Sequence, residues 1–308
     1  MIAKQKGTAL VLAILIMILC SIAATALVKD NLLTIRLLQN VKTGDQATLY
    51  TQAGEAYVAQ LLVRDKEKNK TDSLQDDWAK LAAPFDIEGG EIQIVVEDLQ
   101  GRFNLNNLVD EEGKASKDDI KRFRRLLVAL ELDAELAEPV LDWIDADINS
   151  TLPTGAEDDV YSVNEEPYRT ANAEFISTSE LLKVKGVTSE IYEKLAPHIS
   201  ALPGHVTVNV NTATAPVYAA VIEGLSLSEA TAIVEQRGDS VYTSEAEFRG
   251  AQALEGRKTE DVGVDSDYFR VEVNVQLSRY RARSQSVLKR AGAEGGLLKV
   301  IRHSRAEL

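Results

Sequence analysis

The sequence predicts an α+β chain. One long N-terminal helix and an antiparallel sheet form a body, and a large all-helical domain is inserted between the strands. Three observations predict it. Thr8 to Val28 is an apolar run without a charge, and helical spacing continues beyond it. Alternation of apolar and polar residues marks Glu91–Asp98 near one end of the remaining chain and Tyr268–Leu277 near the other. Between those two stretches the apolar residues recur with helical period. The expected divisions are a leader at 1–7, a helix at 8–63 with its apolar segment at 8–28, a body from 64–110 and 267–308, and the helical insertion at 111–266.

The apolar segment reaches ~30 Å as a helix, the thickness of a bilayer core. Lys4 and Lys6 precede it, while Lys29 and Asp30 cancel behind it. The positive-inside bias places the N-terminus in the cytoplasm and the rest across the membrane. An ordinary secretory signal has a shorter apolar core, although Ala23, Ala24 and Ala26 resemble its cleavage region. Leu38, Val41, Leu49, Ala53, Ala56, Tyr57 and Leu61 predict that the helix continues on an amphipathic pattern, with a bend at the polar 42–46 stretch around Gly44.

Asp65 to Asp77 reads as a charged linker. Glu91–Asp98 reads as a strand that turns at Gly101 into a hairpin partner at Arg102–Asn104. From Lys117 the period becomes helical, with stripes at Ile120, Phe123, Leu126, Leu127 and Leu130 and again over Ala134–Ile144. A proline- and acid-rich loop fills 145–168, and short helices are expected at Ser179–Leu182 and Ser189–Leu195. Val206–Asn211 is extended, and Ala215–Glu223 and Ser228–Arg237 are helical. Three strands close the chain: Tyr268–Leu277, Tyr280–Lys289 and Leu297–Arg302, the last two joined by a turn at Ala291–Gly296.

Composition removes several functions. The 308 residues hold 34 basic and 48 acidic side chains, a net charge of −14, which argues against nucleic acid as the main partner. The lone Cys20 lies in the apolar run, so an internal disulfide, a thiolate metal cluster and CxxC redox chemistry are excluded. His198, His205 and His303 are too scattered for a His-rich zinc site. The motifs GxSxG, HExxH, Walker A and GxGxxG are missing, so the chain reads as a non-enzyme.

The leader ends Lys6-Gly7 directly before the apolar run, and in this it resembles the leaders of type IV pilins and pseudopilins. That resemblance implies cleavage after Gly7 by a prepilin peptidase and a mature chain that starts, often N-methylated, at Thr8. The family usually has Phe first and Glu fifth, where this chain has Thr8 and Leu12. Three further stretches narrow the likeness: Val95–Leu108, Leu141–Asp147 and Val208–Ala213. In these the chain resembles the K-type minor pseudopilins of the type II secretion system, which also lack the fifth-position Glu. The resemblance implies a pilin-like body with an inserted helical domain, bound calcium, and a single-pass inner-membrane anchor with the body in the periplasm. It also implies partnership with the I- and J-type minor pseudopilins at the tip of the pseudopilus, where the subunit nucleates assembly and limits length during protein secretion.

Eight carboxylates fall between Asp142 and Glu166 with no Lys or Arg among them. Packed together they need a counter-cation. Asp145, Asp147 and Asn149 match the opening ligand positions of an EF-hand loop. The match then ends, since Ser150 replaces the expected Gly and Glu157 comes one step late. Hard oxygen donors favour Ca²⁺. The candidate ligands are Asp142, Asp145, Asp147, Asn149, Glu157, Asp158 and Asp159; a solvated acidic loop is the plain alternative.

A membrane-anchored, extracytoplasmic DNA-binding protein is the rival function. Glu180–Val187 with Ile191–Ile199 resembles half of a helix-hairpin-helix unit, and Asn209–Ala213 with the helices behind it resembles competence-type DNA receptors. Each turn has one glycine, Gly186 or Gly224, instead of the usual Gly-x-Gly. Residues 204–266 hold four basic side chains against ten acidic ones. Neither segment offers phosphate a basic face. Asn209 and Asn211 are therefore expected to cap a helix or bond to neighbouring backbone.

Overall fold

The computed structural model describes residues 6–163, 166–238, 240–290 and 299–307. Residues 1–5 of the leader, Glu165 of the acidic loop and the Ala291–Gly296 turn lie outside the described residues.

Helix α1 (Lys6–Lys68) is continuous for 63 residues, or ~95 Å. The helix is unbroken through 42–46. Gly44 instead packs on the Tyr280 ring, where an added Cβ would come within 3.2 Å. The buried face is Ala47, Thr51, Gly54, Val58 and Leu62, spaced by three and four. Small residues dominate that face because the helix lies close on the sheet; a Cβ on Gly54 would stand 2.9 Å from Val273. Of the expected stripe, Leu38, Val41, Leu49 and Tyr57 are exposed, which leaves a second apolar face uncovered among the described residues.

Asp65–Asp77 is a packed corner instead of a linker. Asp72 and Ser73 are buried there, and the 3-10 turn that follows drives Trp78 into the core against Phe269. Strand β1 (Phe85–Ile87), unmarked by alternation, pairs with β2 (Gly90–Asp98) through a turn at Gly89, whose φ of 87° suits glycine. The hairpin expected after Gly101 does not form. Strand β3 (Phe103–Asn104) runs parallel to a strand from far along the chain, because three buried asparagines fix it there.

The insertion follows as α2 (Lys117–Ala129), α3 (Ala137–Ile144), α4 (Asp158–Tyr161) and α5 (Ser189–Leu195). Next come β4 (Ile199–Ser200), β5 (Val208–Asn209), α6 (Ala215–Val221), α7 (Leu227–Arg237), α8 (Glu245–Arg249) and β6 (Val262–Gly263). The block is helical apart from two short parallel pairs, β3 with β4 and β5 with β6. It has two apolar cores. One gathers Phe103, Leu105, Phe123, Leu126, Trp143 and Ile199. The other gathers Val210, Val217, Tyr218, Ile222, Ile233 and Phe248.

The chain returns as β7 (Tyr268–Leu277), with the bounds that its alternation predicts, β8 (Tyr280–Lys289), also with its expected bounds, and β9 (Lys299–Glu307), which runs past the expected end at Arg302. Among the described residues these complete an antiparallel sheet of order β1-β2-β7-β8-β9. The inward set Phe269, Val271, Val273, Val275 and Leu277 packs under α1.

The vertical order of contacts orients the body. Gly44 touches Tyr280, Gly54 meets Val273, and Asp65 stands 3.7 Å from Arg290, which follows β8. Helix α1 therefore rises along the strands from the Leu277–Tyr280 end to the Asp98–Tyr268 end. The insertion leaves after Asp98, paired with Phe269, and comes back just before Tyr268. It consequently sits at the end of the sheet remote from the apolar part of α1.

Candidate functional site

The remote end is tied down by a buried polar joint. Asp72, 1% exposed, takes two bonds of 2.9 Å from Arg290, 3% exposed, and accepts a third from the Ser266 amide. The Asp98 carboxylate accepts from the Gln100 amide, Asn209 Nδ2, Ser266 Oγ and Thr212 Oγ1. Burial raises the Asp98 pKa, and these donors oppose the rise. Asn209 also donates to the Asp72 carbonyl, and Asn211 to the carbonyls of Tyr242 and Val264. Both asparagines are thus taken up by neighbouring backbone and side chains; the cap of α6 is Thr214.

The Val95–Leu108 stretch does the same for the first core. Asn104 donates to the Leu202 and Gly204 carbonyls and accepts from the Leu202 amide. Asn106 exchanges bonds with both backbone groups of Phe175, and Asn107 with both of Val206. The three amides act as pieces of backbone that no strand supplies.

The acidic loop hangs from α3. Asp145, Asp147 and Glu157 each bring a carboxylate oxygen within 4.8 Å of the other two. Asp145 Oδ1 and Glu157 Oε1 are buried and lack a hydrogen-bond partner among the described residues. Burial, together with Asp147, Asp142 and Glu157, raises the Asp145 pKa to about 7. Burial raises Glu157 as well. Two other carboxylate groups, Asp65–Asp72–Asp76 and Asp119–His205–Asp261, already hold Arg290 and Arg122. No Lys or Arg pairs with Asp145, Asp147 or Glu157 among the described residues, so this group has the chemistry of a cation site.

The remaining expected ligands are not brought into that group. Asp142 is spent on backbone, accepting from the amides of Thr151 and Ala156 at 2.7–3.1 Å. Gly155 makes this possible, since a Cβ there would run into Asp142 and Thr151. Asp158 accepts from the Thr170 amide and hydroxyl at 3.0 Å. Asn149 donates its amide and Nδ2 to Asp147 Oδ1 and so shapes the loop. Asp159 is exposed in the first turn of α4. Sequence reasoning missed Thr170, which donates to Glu157 Oε2 at 3.2 Å, and Asn172, which bonds to the Asp147 carbonyl and has a buried, unpartnered Oδ1. Neither carries a local signal.

A long apolar-then-amphipathic helix laid on an antiparallel sheet defines the chain as a pilin-like subunit, here with a helical block on its remote end. Two profiles described as Type II secretion system (T2SS), protein K match residues 101–204 and 208–271, which coincide with the two cores of that block. The Type II secretion system protein K of Pseudomonas aeruginosa is 36% identical over 304 residues, covering 94% of this chain and 90% of that one. That of Aeromonas hydrophila is 31% identical over 316 residues, with 93% of each covered. A chain in the crystal structure of the GspK-GspI-GspJ complex from enterotoxigenic Escherichia coli superposes with a TM-score of 0.76 at 23% identity, covering 88% of this chain and 99% of that one. The chain belongs to the type II secretion system protein K family, the pseudopilin-type components of protein secretion. Its apolar helix fits a single-pass inner-membrane anchor.

Proposed function

We propose that the chain is the tip subunit of the pseudopilus, assembled with I- and J-type minor pseudopilins to start the filament and limit its length. The observation that carries this is the position of the insertion. A block of ~150 residues at the end of the sheet remote from the membrane helix obstructs a subunit stacked above, and only at a tip is nothing stacked there. Leu12 supports the same place. It offers no carboxylate to neutralise a preceding subunit's N-terminal amine inside the bilayer. The exposed stripe Leu38, Val41, Leu49 and Tyr57 suits packing on the helices of neighbouring subunits, and the solved complex of the similar chain names I and J components as its companions. Labelled antibody is expected to decorate filament ends only, and deletion to stop secretion while permitting longer filaments when the major subunit is overproduced. Decoration along the shaft would refute the cap.

The same reading includes a cytoplasmic N-terminus, a periplasmic body and cleavage between Gly7 and Thr8 by the prepilin peptidase. Mass spectrometry of membrane-extracted protein should show a chain beginning at Thr8, and Gly7→Val should abolish cleavage. A start near Thr25–Val28 means an ordinary signal peptidase and removes the pilin route. The reading also includes Ca²⁺ held by Asp145, Asp147 and Glu157, a counter-charge that pins the loop between α3 and α4, and no role in nucleic-acid binding. Here Asn209 and Asn211 of the segment that resembles competence-type DNA receptors are already engaged inside the protein.

A further inference from the structure

A cleft of about 340 Å³ opens at the seam between the sheet and the insertion. Arg102, Arg270 and Arg302 line it together with the hydroxyl-bearing Ser177, Thr178, Tyr192, Ser200 and Ser304 and the amide of Gln285. In a chain of net charge −14 this is a concentration of positive charge. The charge is only partly answered. Arg102 and Arg270 share one carboxylate, Glu97, while Arg302 donates to the Ala201 carbonyl at 3.1 Å and has Glu180 as its more distant acid. Burial and Arg270 both lower the Arg102 pKa, as expected where guanidinium groups crowd together away from water. A second, independent sign is Ser200. Its residue is 2% exposed, and its Oγ is buried without a hydrogen-bond partner among the described residues. Buried hydroxyls are ordinarily paired, and this one belongs to a residue of the cleft wall.

Convergent guanidinium forks and hydroxyls with one shared carboxylate match a group bearing several acceptor oxygens and a negative charge. Ligand sites also favour seams between packed units. We propose that this cleft binds a small oxyanion, a phosphate or carboxylate group, between the sheet and the inserted block. Bound there, the oxyanion joins Arg270 of β7 and Arg302 of β9 to Arg102 and Ser200 of the insertion's first core.

Titration calorimetry of the full chain in detergent, at fixed ionic strength so that screening is constant, tests this with two probes, inorganic phosphate and citrate. The expected result is saturable one-to-one binding of at least one of them; the tighter probe distinguishes a phosphate-type from a carboxylate-type ligand. Arg302→Gln removes a fork from the wall and is expected to weaken that binding about tenfold. If Arg302→Gln does not fold, Ser200→Ala, which deletes one hydroxyl, decides instead and is expected to weaken binding several-fold. No saturable binding of either probe up to about 10 mM, or unchanged affinity in the deciding variant, overturns the proposal.

Discussion

Replacing Arg290 by methionine is expected to lower the stability of the folded body by about 3–5 kcal/mol, the range for breaking a buried ion pair from one side. The methionine fills most of the volume, so the loss reports charge instead of a cavity. It strands the Asp72 carboxylate, which is 1% exposed and would keep only its Ser266 amide donor at this spot. Arg290 Nη1 also holds the Ser266 carbonyl at 3.2 Å, so the segment where the insertion re-enters the sheet loosens too. At roughly 2–4 °C per kcal/mol for a body of this size, the melting temperature should fall by on the order of 10 °C. Exchange of amides around 264–268 should speed up before that of β8. A melting curve within a degree or two of the parent contradicts the account. The double variant Asp72→Asn with Arg290→Met should recover part of the loss, since it removes the stranded charge.

On the proposal that Asp145, Asp147 and Glu157 hold Ca²⁺, chelation is expected to have the second large effect. A cation bound only to the folded state adds about 2.7 kcal/mol at a hundredfold excess over Kd. EGTA should lower the melting temperature, and Asp145→Asn with Glu157→Gln should make the protein indifferent to EGTA. The pH dependence supplies a check with a definite sign. The folded Asp145 pKa is raised from 3.8 to about 7, so between those values the folded state holds a proton that the unfolded chain has released. Stability from this group is complete below about 3.8 and is lost as pH rises through about 7. Stripped of cation, the protein should melt higher near pH 5 than near pH 8. Asp145→Asn should flatten that slope, and saturating calcium should oppose it by favouring the ionised form. An EGTA-treated protein with unchanged melting at both pH values leaves the loop as a solvated acidic surface.

What the sequence made legible follows how local each signal is. Strand β7 could be bounded to the residue because its alternation is uninterrupted and one face is buried under α1, and β8 follows it across a two-residue turn. The buried face of α1 was not legible. Leu38, Val41 and Tyr57 are apolar on a face left uncovered among the described residues, while the true inner face uses Ala47, Thr51 and Gly54. Hydrophobicity alone does not separate a surface kept for another molecule from a core. The hairpin after Gly101 failed for the opposite reason. Phe103 pairs with Ile199, and no local pattern announces a partner so distant. In the acidic loop, the Asp145–Asp147 alternation was readable because it lies within three residues. That Asp142 and Asp158 serve Thr151, Ala156 and Thr170 depends on how the loop closes. Asp72 and Arg290 are 218 positions apart, and the first looked like part of a charged linker.

The alignment of α1 with the strands has a mechanical consequence. Gly44, Gly54 and Asp65 climb the sheet in step with Tyr280, Val273 and Arg290, so a thrust delivered along the helix runs lengthwise down β2 and β7. Hydrogen bonds perpendicular to a thrust share it in shear along the whole ladder, from Gly90–Leu277 to Asp98–Phe269, instead of opening one after another. Both covalent crossings to the inserted block stand side by side at the top of that ladder. Such a thrust would reach the block from the end of the ladder, with Asp72, Asp98 and Arg290 as the bearing on which it rests, and resistance met by the block would return by the same route to the helix.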